Sequence, residues 1–242
     1  LKDASAYNIQ FVGGKARLID TLSFEVLREG APWIAYKQFC EHFLAPLAII
    51  SYRDERLGQL SRVHLDGVPL ELAKRLLPFR TKFWFSLLLH IHLQANADKN
   101  LGDKLVSEFS KKKKAFTHRA FQGLVDSLEG SVKGLKWRIK DSNWANYYED
   151  NTYTTKILEH KESLVREYLE TVNPEQVWDL GSNTGLFSRL ASDADVTTVA
   201  FDQDPAVIEQ SYLTAKANGE GNILPLVMDL SNPSPGVGWD SS

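Results

Sequence analysis

Apolar and polar positions change period several times along the chain. Asn8–Val12 and Ala16–Asp20 are short apolar runs separated by Gly13-Gly14, the spacing of a tight β-hairpin. After Pro32 the apolar period becomes helical, from Trp33 to about Tyr52, with an interruption at Pro46. Leu57–Leu77 is helical in parts, with a turn at Asp66-Gly67 and a stop at Pro78. Phe83–Ala95 is strongly apolar and predicts a buried helix central to the N-terminal core. Asp98–Lys114 is polar and charged, and Trp144–Tyr153 is an aromatic, turn-rich loop. Leu158, Leu164, Val165, Tyr168, Leu169 and Val172 form one stripe of a helix over Thr155–Val172 that Pro174 stops. Beyond Pro174 the order becomes strand, glycine turn, helix, strand, helix, strand, which predicts a parallel sheet covered by helices. The expected fold is therefore α/β: a Rossmann-like parallel sheet, preceded by a mostly helical region that opens with a β-hairpin. The boundary falls between about Leu135 and Thr155, dividing the chain into residues 1–145 and 146–242.

Composition narrows the classes. The 242 residues are 43% hydrophobic and 24% charged with a net charge of −3, which supports a globular core and gives no sign of a nucleic-acid binder. The single cysteine, Cys40, excludes an intrachain disulfide and fits a reducing, cytoplasmic compartment. The runs Phe43–Tyr52 and Phe83–Gln94 fall short of the roughly 20 apolar residues a bilayer needs, so no membrane association is expected. Lys111–Lys114 lacks interleaved aromatic residues and reads as a solvated face. His90 and His92 stand two apart, a spacing that does not share a helix face, and no metal site is expected there. Leu1 at one end and Asp240-Ser241-Ser242 after a Pro/Gly-rich stretch at the other read as cuts from something longer.

Candidate chemistry concentrates in Val177–Ser188, where an apolar strand runs through Asp179 into Gly181-Ser182-Asn183-Thr184-Gly185 and a helix. Glycines there allow a sharp turn and the close approach of a ligand, and a helix start presents amides to a negative group. A carboxylate in the turn would repel a dinucleotide pyrophosphate. It suits S-adenosylmethionine (SAM), whose methionine end carries an ammonium for Asp179 and a carboxylate for amides around Gly181. A second strand, Val196–Phe201, ends at Asp202-Gln203-Asp204-Pro205. Asp202 comes about 20 residues after the turn, the spacing of an acid that bonds ribose hydroxyls. It could instead cap the helix Pro205–Asn218, but Asp204 is the better cap, leaving Asp202 for a ligand. A third strand, Asn222–Leu230, brings Asp229 to an adenine amino group and Met228 to the ring.

In this order the pieces resemble the class I SAM-dependent methyltransferases over about residues 155–230. The resemblance implies SAM as cofactor, methyl transfer to an unidentified acceptor, and cofactor contacts from Asp179, Gly181, Ser182, Asn183, Gly185, Asp202, Gln203, Met228 and Asp229. Asn183 departs from the glycine that the family often carries at mid-loop. A complete domain of that family has further strands, so the chain is expected to hold its first half, truncated at the C-terminus, with catalytic residues not identifiable. Gly236, Gly238 and Trp239 would begin the next loop, and Tyr148 or Tyr153 would close over the cofactor.

The N-terminus carries a second resemblance. Asp3-Ala4-Ser5-Ala6-Tyr7-Asn8 has the D-x-x-x-x-N spacing of a kinase catalytic loop, and Asp20 follows twelve residues after Asn8. This looks like protein-kinase-like and aminoglycoside-phosphotransferase-like folds, in which Asp3 would be the base and Asn8 and Asp20 magnesium ligands. Asp20 is followed by Thr21-Leu22 where kinases have Phe-Gly. The alternative function is thus a kinase-like phosphotransferase or pseudokinase remnant, or a non-catalytic SAM-binding module. The whole arrangement is also similar to a bacterial methyltransferase-like family that includes a host-specific nodulation protein.

Overall fold

The computed structural model describes residues 1–27, 30–96, 117–137 and 155–233. Lys111–Lys114, Tyr148, Tyr153, Gly236, Gly238 and Trp239 lie outside the described residues. The chain divides into two compact units, Leu1–Ile9 with Leu18–Arg138, and Gln10–Arg17 with Ile139–Ser242. The hairpin tip therefore counts with the second unit, where the division at residue 145 kept it with the first.

Strands β1 (Ile9–Val12) and β2 (Lys15–Leu18) form the hairpin. Gly13 and Gly14 both take positive φ, 56° and 70°, as a two-residue turn between twisted strands requires.

In the first unit, Tyr36–Phe39, a π-helical turn Cys40–Leu44 and Ala45–Tyr52 follow one another without a break. The expected interruption at Pro46 is absent. The wider π turn lies just ahead of the proline and accommodates a residue that has no amide to donate. The apolar run after Phe83 likewise becomes Phe85–Leu87 and a π-helical stretch Leu88–Leu93. Leu44, Ile49, Val68, Leu70, Leu87, Ile91 and Leu128 meet in one core, each contributing roughly 1.5–3 kcal/mol by leaving water. Gly67 has φ 96°, and a Cβ there would stand 2.7 Å from Glu41 Cβ, so the turn before Leu70–Leu76 admits only glycine.

His90 and His92 are buried in this unit. His90 Nδ1 shares a hydrogen bond with Tyr36 Oη (2.7 Å), and its Nε2 with Ser127 Oγ (2.8 Å). His92 Nε2 pairs with Thr81 Oγ1 at 2.8 Å. Burial holds both imidazoles below the ordinary histidine value. The two rings serve different partners, and no metal-binding group of three or more side chains occurs among the described residues.

In the second unit, β3 (Gln176–Leu180), β4 (Thr197–Asp202) and β5 (Ile223–Val227) form a parallel sheet in the order β3-β4-β5. Val177, Thr198 and Ile223 are in register, as are Asp179, Ala200 and Pro225, so these residues share one face. Thr198, Ala200 and Ile223 are fully buried there. Helix Leu186–Asp193 packs on all three strands, and helix Pro205–Asn218 packs on β4 and β5. The opposite face starts with Gln176 and Thr197 and is then apolar, with Trp178, Val199 and Leu224 in one row and Leu180, Phe201 and Leu226 in the next. Among the described residues no helix is long and apolar enough to cross a membrane.

Candidate functional site at the strand tips

Parallel strands bring their C-terminal ends to one edge of the sheet, and that edge carries the acids singled out in the sequence. Asp179 stands near the tip of β3 and Asp202 ends β4. Ser188 donates its hydroxyl to Asp179 Oδ2 at 2.6 Å. Ser188 lies in the first turn of helix Leu186–Asp193, so this bond ties Asp179 to the start of that helix. Burial raises the Asp179 pKa; the Ser188 bond opposes the rise and the nearby Asp202 charge adds to it.

The loop between them is tightly tied. Gly181 and Ser182 both donate their amides to Phe201 O, at 2.8 and 2.9 Å. Asn183 N–H donates to Asp202 Oδ2 (2.9 Å), Thr184 N–H to Asn183 Oδ1 (2.7 Å) and Gly185 N–H to Ser182 O (2.9 Å). Asn183 takes φ 50°, the left-handed region that asparagine tolerates, which is how the loop forms without a glycine at its middle. Gly181 and Gly185 both have φ 86°. Their surroundings differ: a Cβ on Gly185 would strike Ser211 Oγ at 2.7 Å, whereas one on Gly181 would meet nothing.

Two expectations change here. The amides of Gly181 and Ser182 are spent on Phe201, so the donors left for a carboxylate are the leading amides of the helix at Leu186 and Phe187. Asp202 is not free: besides Asn183 N–H, it accepts Asp204 N–H at 2.9 Å on Oδ1. Each carboxylate oxygen keeps a second lone pair for a hydroxyl. Asp204 is the helix cap, accepting Ala206 N–H at 2.8 Å.

The third tip is looser. β5 ends at Val227, short of Met228 and Asp229. Met228 N–H still reaches Asp202 O at 2.8 Å, which sets the half-buried Met228 side chain beside the β4 tip. Asp229 begins a turn in which its Oδ1 accepts both the amide and the hydroxyl of Ser231, at 2.9 and 2.6 Å. Gln203 is exposed beside Asp202. Ser182 Oγ is buried with no hydrogen-bond partner among the described residues, at the centre of the loop. An unsatisfied buried hydroxyl costs roughly 1–3 kcal/mol. The open space over Gly181, the Ser182 hydroxyl and the two acids lie together at this edge of the sheet.

Sequence reasoning missed Ser188, Arg189 and Ser211, which meet the loop from two helices. Ser188 and Arg189 lie in the helix that the loop opens, which is the signal that could have found them.

The other constellation also comes together. Asn8 Nδ2 donates to Ser23 Oγ (2.9 Å), and Ser23 Oγ donates to Asp20 Oδ2 (2.6 Å). Asp3 Oδ1 accepts Ser5 N–H (3.0 Å) and Gln38 Nε2 (2.7 Å). Burial works to raise the Asp3 pKa, but the bonds from Gln38, Asn8 and Ser5, with the His42 charge, outweigh it and hold the carboxyl below its ordinary value.

The chain is similar to nodulation protein NoeA of Rhizobium meliloti (strain 1021), with 36% identity over 255 aligned residues covering 99% of this chain and 51% of that protein. It thus spans about half the length of the curated relative it matches. No family model matches the chain, and no solved structure matches it.

Proposed function

We propose that the second unit binds S-adenosylmethionine at the β3-β4-β5 tips and that the protein transfers its methyl group to an acceptor nucleophile. The observation that carries this reading is the loop Gly181–Gly185: a left-handed turn with open space at Gly181, a buried unpartnered Ser182 hydroxyl and two acids at its sides. The cofactor supplies a methyl group activated by a sulfonium. Asp202 and Gln203 hold the ribose hydroxyls, Met228 packs on the adenine and Asp229 faces its amino group. Asp179 faces the ammonium, whose charge offsets the cost of keeping that half-buried carboxylate ionised. The carboxylate of the methionine end takes the amides of Leu186 and Phe187 and the Ser182 hydroxyl. What the chain contributes to rate is the fixing of one reactant in position. The similarity to a nodulation protein is compatible with this reading and leaves the acceptor open. Isothermal titration of the chain with SAM and S-adenosylhomocysteine tests it. Saturable binding of both, weakened in Asp202→Ala, is expected; binding of neither, or binding indifferent to Asp202→Ala, contradicts it.

A second reading draws on Asp3, Asn8 and Asp20, whose spacing is that of a kinase-like magnesium-nucleotide site, although their side chains already bond Ser5, Gln38, Leu22 and Ser23. Magnesium-dependent ATP binding that disappears in Asp20→Ala would favour it.

A further inference from the structure

Arg189 stands one helical turn beyond Gly185, and its side chain is about four-fifths buried, with 21% exposed. Its guanidinium uses every nitrogen. Nη1 donates to Thr184 O (2.7 Å) and Gly185 O (3.1 Å), Nη2 to Ser211 O (3.3 Å), and Nε to Glu220 Oε2 (3.2 Å). Glu220 is itself held by Asn218 Nδ2 at 2.7 Å. One side chain therefore joins the loop after β3, the helix after β4 and the turn before β5.

The Thr184 carbonyl is the contact that matters for a ligand. The helix is capped by Gly185, whose carbonyl accepts its first bond from Arg189 N–H at 3.1 Å, so Thr184 O lies ahead of the helical ladder with no amide to satisfy it from there. Arg189 supplies the missing donor, and a charge-assisted bond to a half-buried carbonyl is strong. Fixing Thr184 O fixes the plane of the Thr184–Gly185 peptide, whose N–H closes the turn on Ser182 O and which leads directly into the Leu186 and Phe187 amides. Glycine at 185 is the condition for this approach, since a Cβ there would lie 3.0 Å from Nη1.

We infer that Arg189 is a positioning residue for the methionine end of S-adenosylmethionine, acting through the Thr184 and Gly185 carbonyls rather than by touching the cofactor. The inference rests on the SAM reading above. Lysine cannot replace arginine, because one ammonium cannot reach Thr184 O, Gly185 O, Ser211 O and Glu220 in a fixed fork.

The test compares SAM with adenosine, which lacks the methionine end, by isothermal titration of the chain and of its Arg189→Gln and Arg189→Lys variants. Loss of a charge-assisted bond that orients the loop is expected to weaken SAM binding by about tenfold or more, with adenosine affinity changed by less than about threefold. Equal loss for both ligands would make Arg189 a general structural residue and overturn the inference. So would unchanged SAM affinity in either folded variant. Should Arg189→Gln unfold, Arg189→Lys keeps a cation beside Glu220 and the SAM-to-adenosine ratio is read there. Failure of the unmodified chain to bind either ligand would overturn the SAM reading itself, and the role of Arg189 with it. Binding of both ligands without the differential loss overturns only the role of Arg189.

Discussion

Two constellations of the same chemistry, Asp3 with Asn8 and Asp20, and Asp179 with Asp202 and Asp229, sit on different backbones. The first closes on itself. Asp20 spends one oxygen on Leu22 N–H and the other on Ser23, while Asn8 bonds Ser23 and Asp3 takes Gln38 and Ser5. The second is spread over strand tips around a left-handed loop, with a buried hydroxyl left over and open space at Gly181. Acid spacing in a sequence does not distinguish these cases. What differs is whether the backbone leaves donors and room that the chain's own side chains do not fill.

Four measurements separate the two clusters. The largest effect is expected from Gly185→Val: a left-handed residue gains a branched side chain against Ser211 and Arg189, and urea unfolding should show a loss of about 3 kcal/mol or more. An unchanged midpoint would mean that the loop is not built as described. Next, Asp202→Ala should cost SAM affinity about 2 kcal/mol, near thirtyfold, while Asp20→Ala leaves it unchanged. Equal sensitivity to both substitutions, read by calorimetry, would erase the distinction between the two clusters. Gly181→Ala isolates the backbone contribution, because its Cβ meets nothing; a stability loss of about 1–2 kcal/mol is expected, smaller than at Gly185.

The smallest effect is in pH dependence, and its sign differs between the clusters. Asp179 is raised by burial, so its folded form holds a proton more tightly than the unfolded chain does. Its stability contribution is present below the unfolded value and is lost as pH rises through the folded one. Asp3 is lowered by its hydrogen bonds, so its contribution is present above the unfolded value and is lost as pH falls through the folded one. Denaturant midpoints across the acid range should therefore show Asp179→Asn flattening a decline toward neutral pH, and Asp3→Asn flattening a decline toward acid. Matching signs in the two variants would contradict this assignment.

Much of the fold was legible because it rests on local signals. Gly13-Gly14 specified the hairpin turn, Asp204 before Pro205 specified the helix Pro205–Asn218, and the apolar runs marked β3, β4 and β5. Pro46 misled, because a π turn that absorbs a proline has no signature in apolar periodicity. At the site, the identity of the acids was readable but their occupancy was not. That Asn183 and Asp204 amides already claim Asp202, or that Phe201 claims the amides of Gly181 and Ser182, depends on neighbours brought in by the β3–β4 pairing. Arg189 escaped notice for the same reason: Ser211 and Glu220 lie far from it in sequence and reach it only through packing.

The central claim concerns where a ligand lands, so the most direct measurement is a SAM titration of the uniformly 15N-labelled chain followed by amide chemical shifts. The account predicts saturable shifts concentrated at Gly181–Phe187, Asp202, Gln203, Met228 and Asp229, with Asp3–Ser23 undisturbed. Shifts absent at those amides, or clustered instead around Asp3, Asn8 and Asp20, would contradict it.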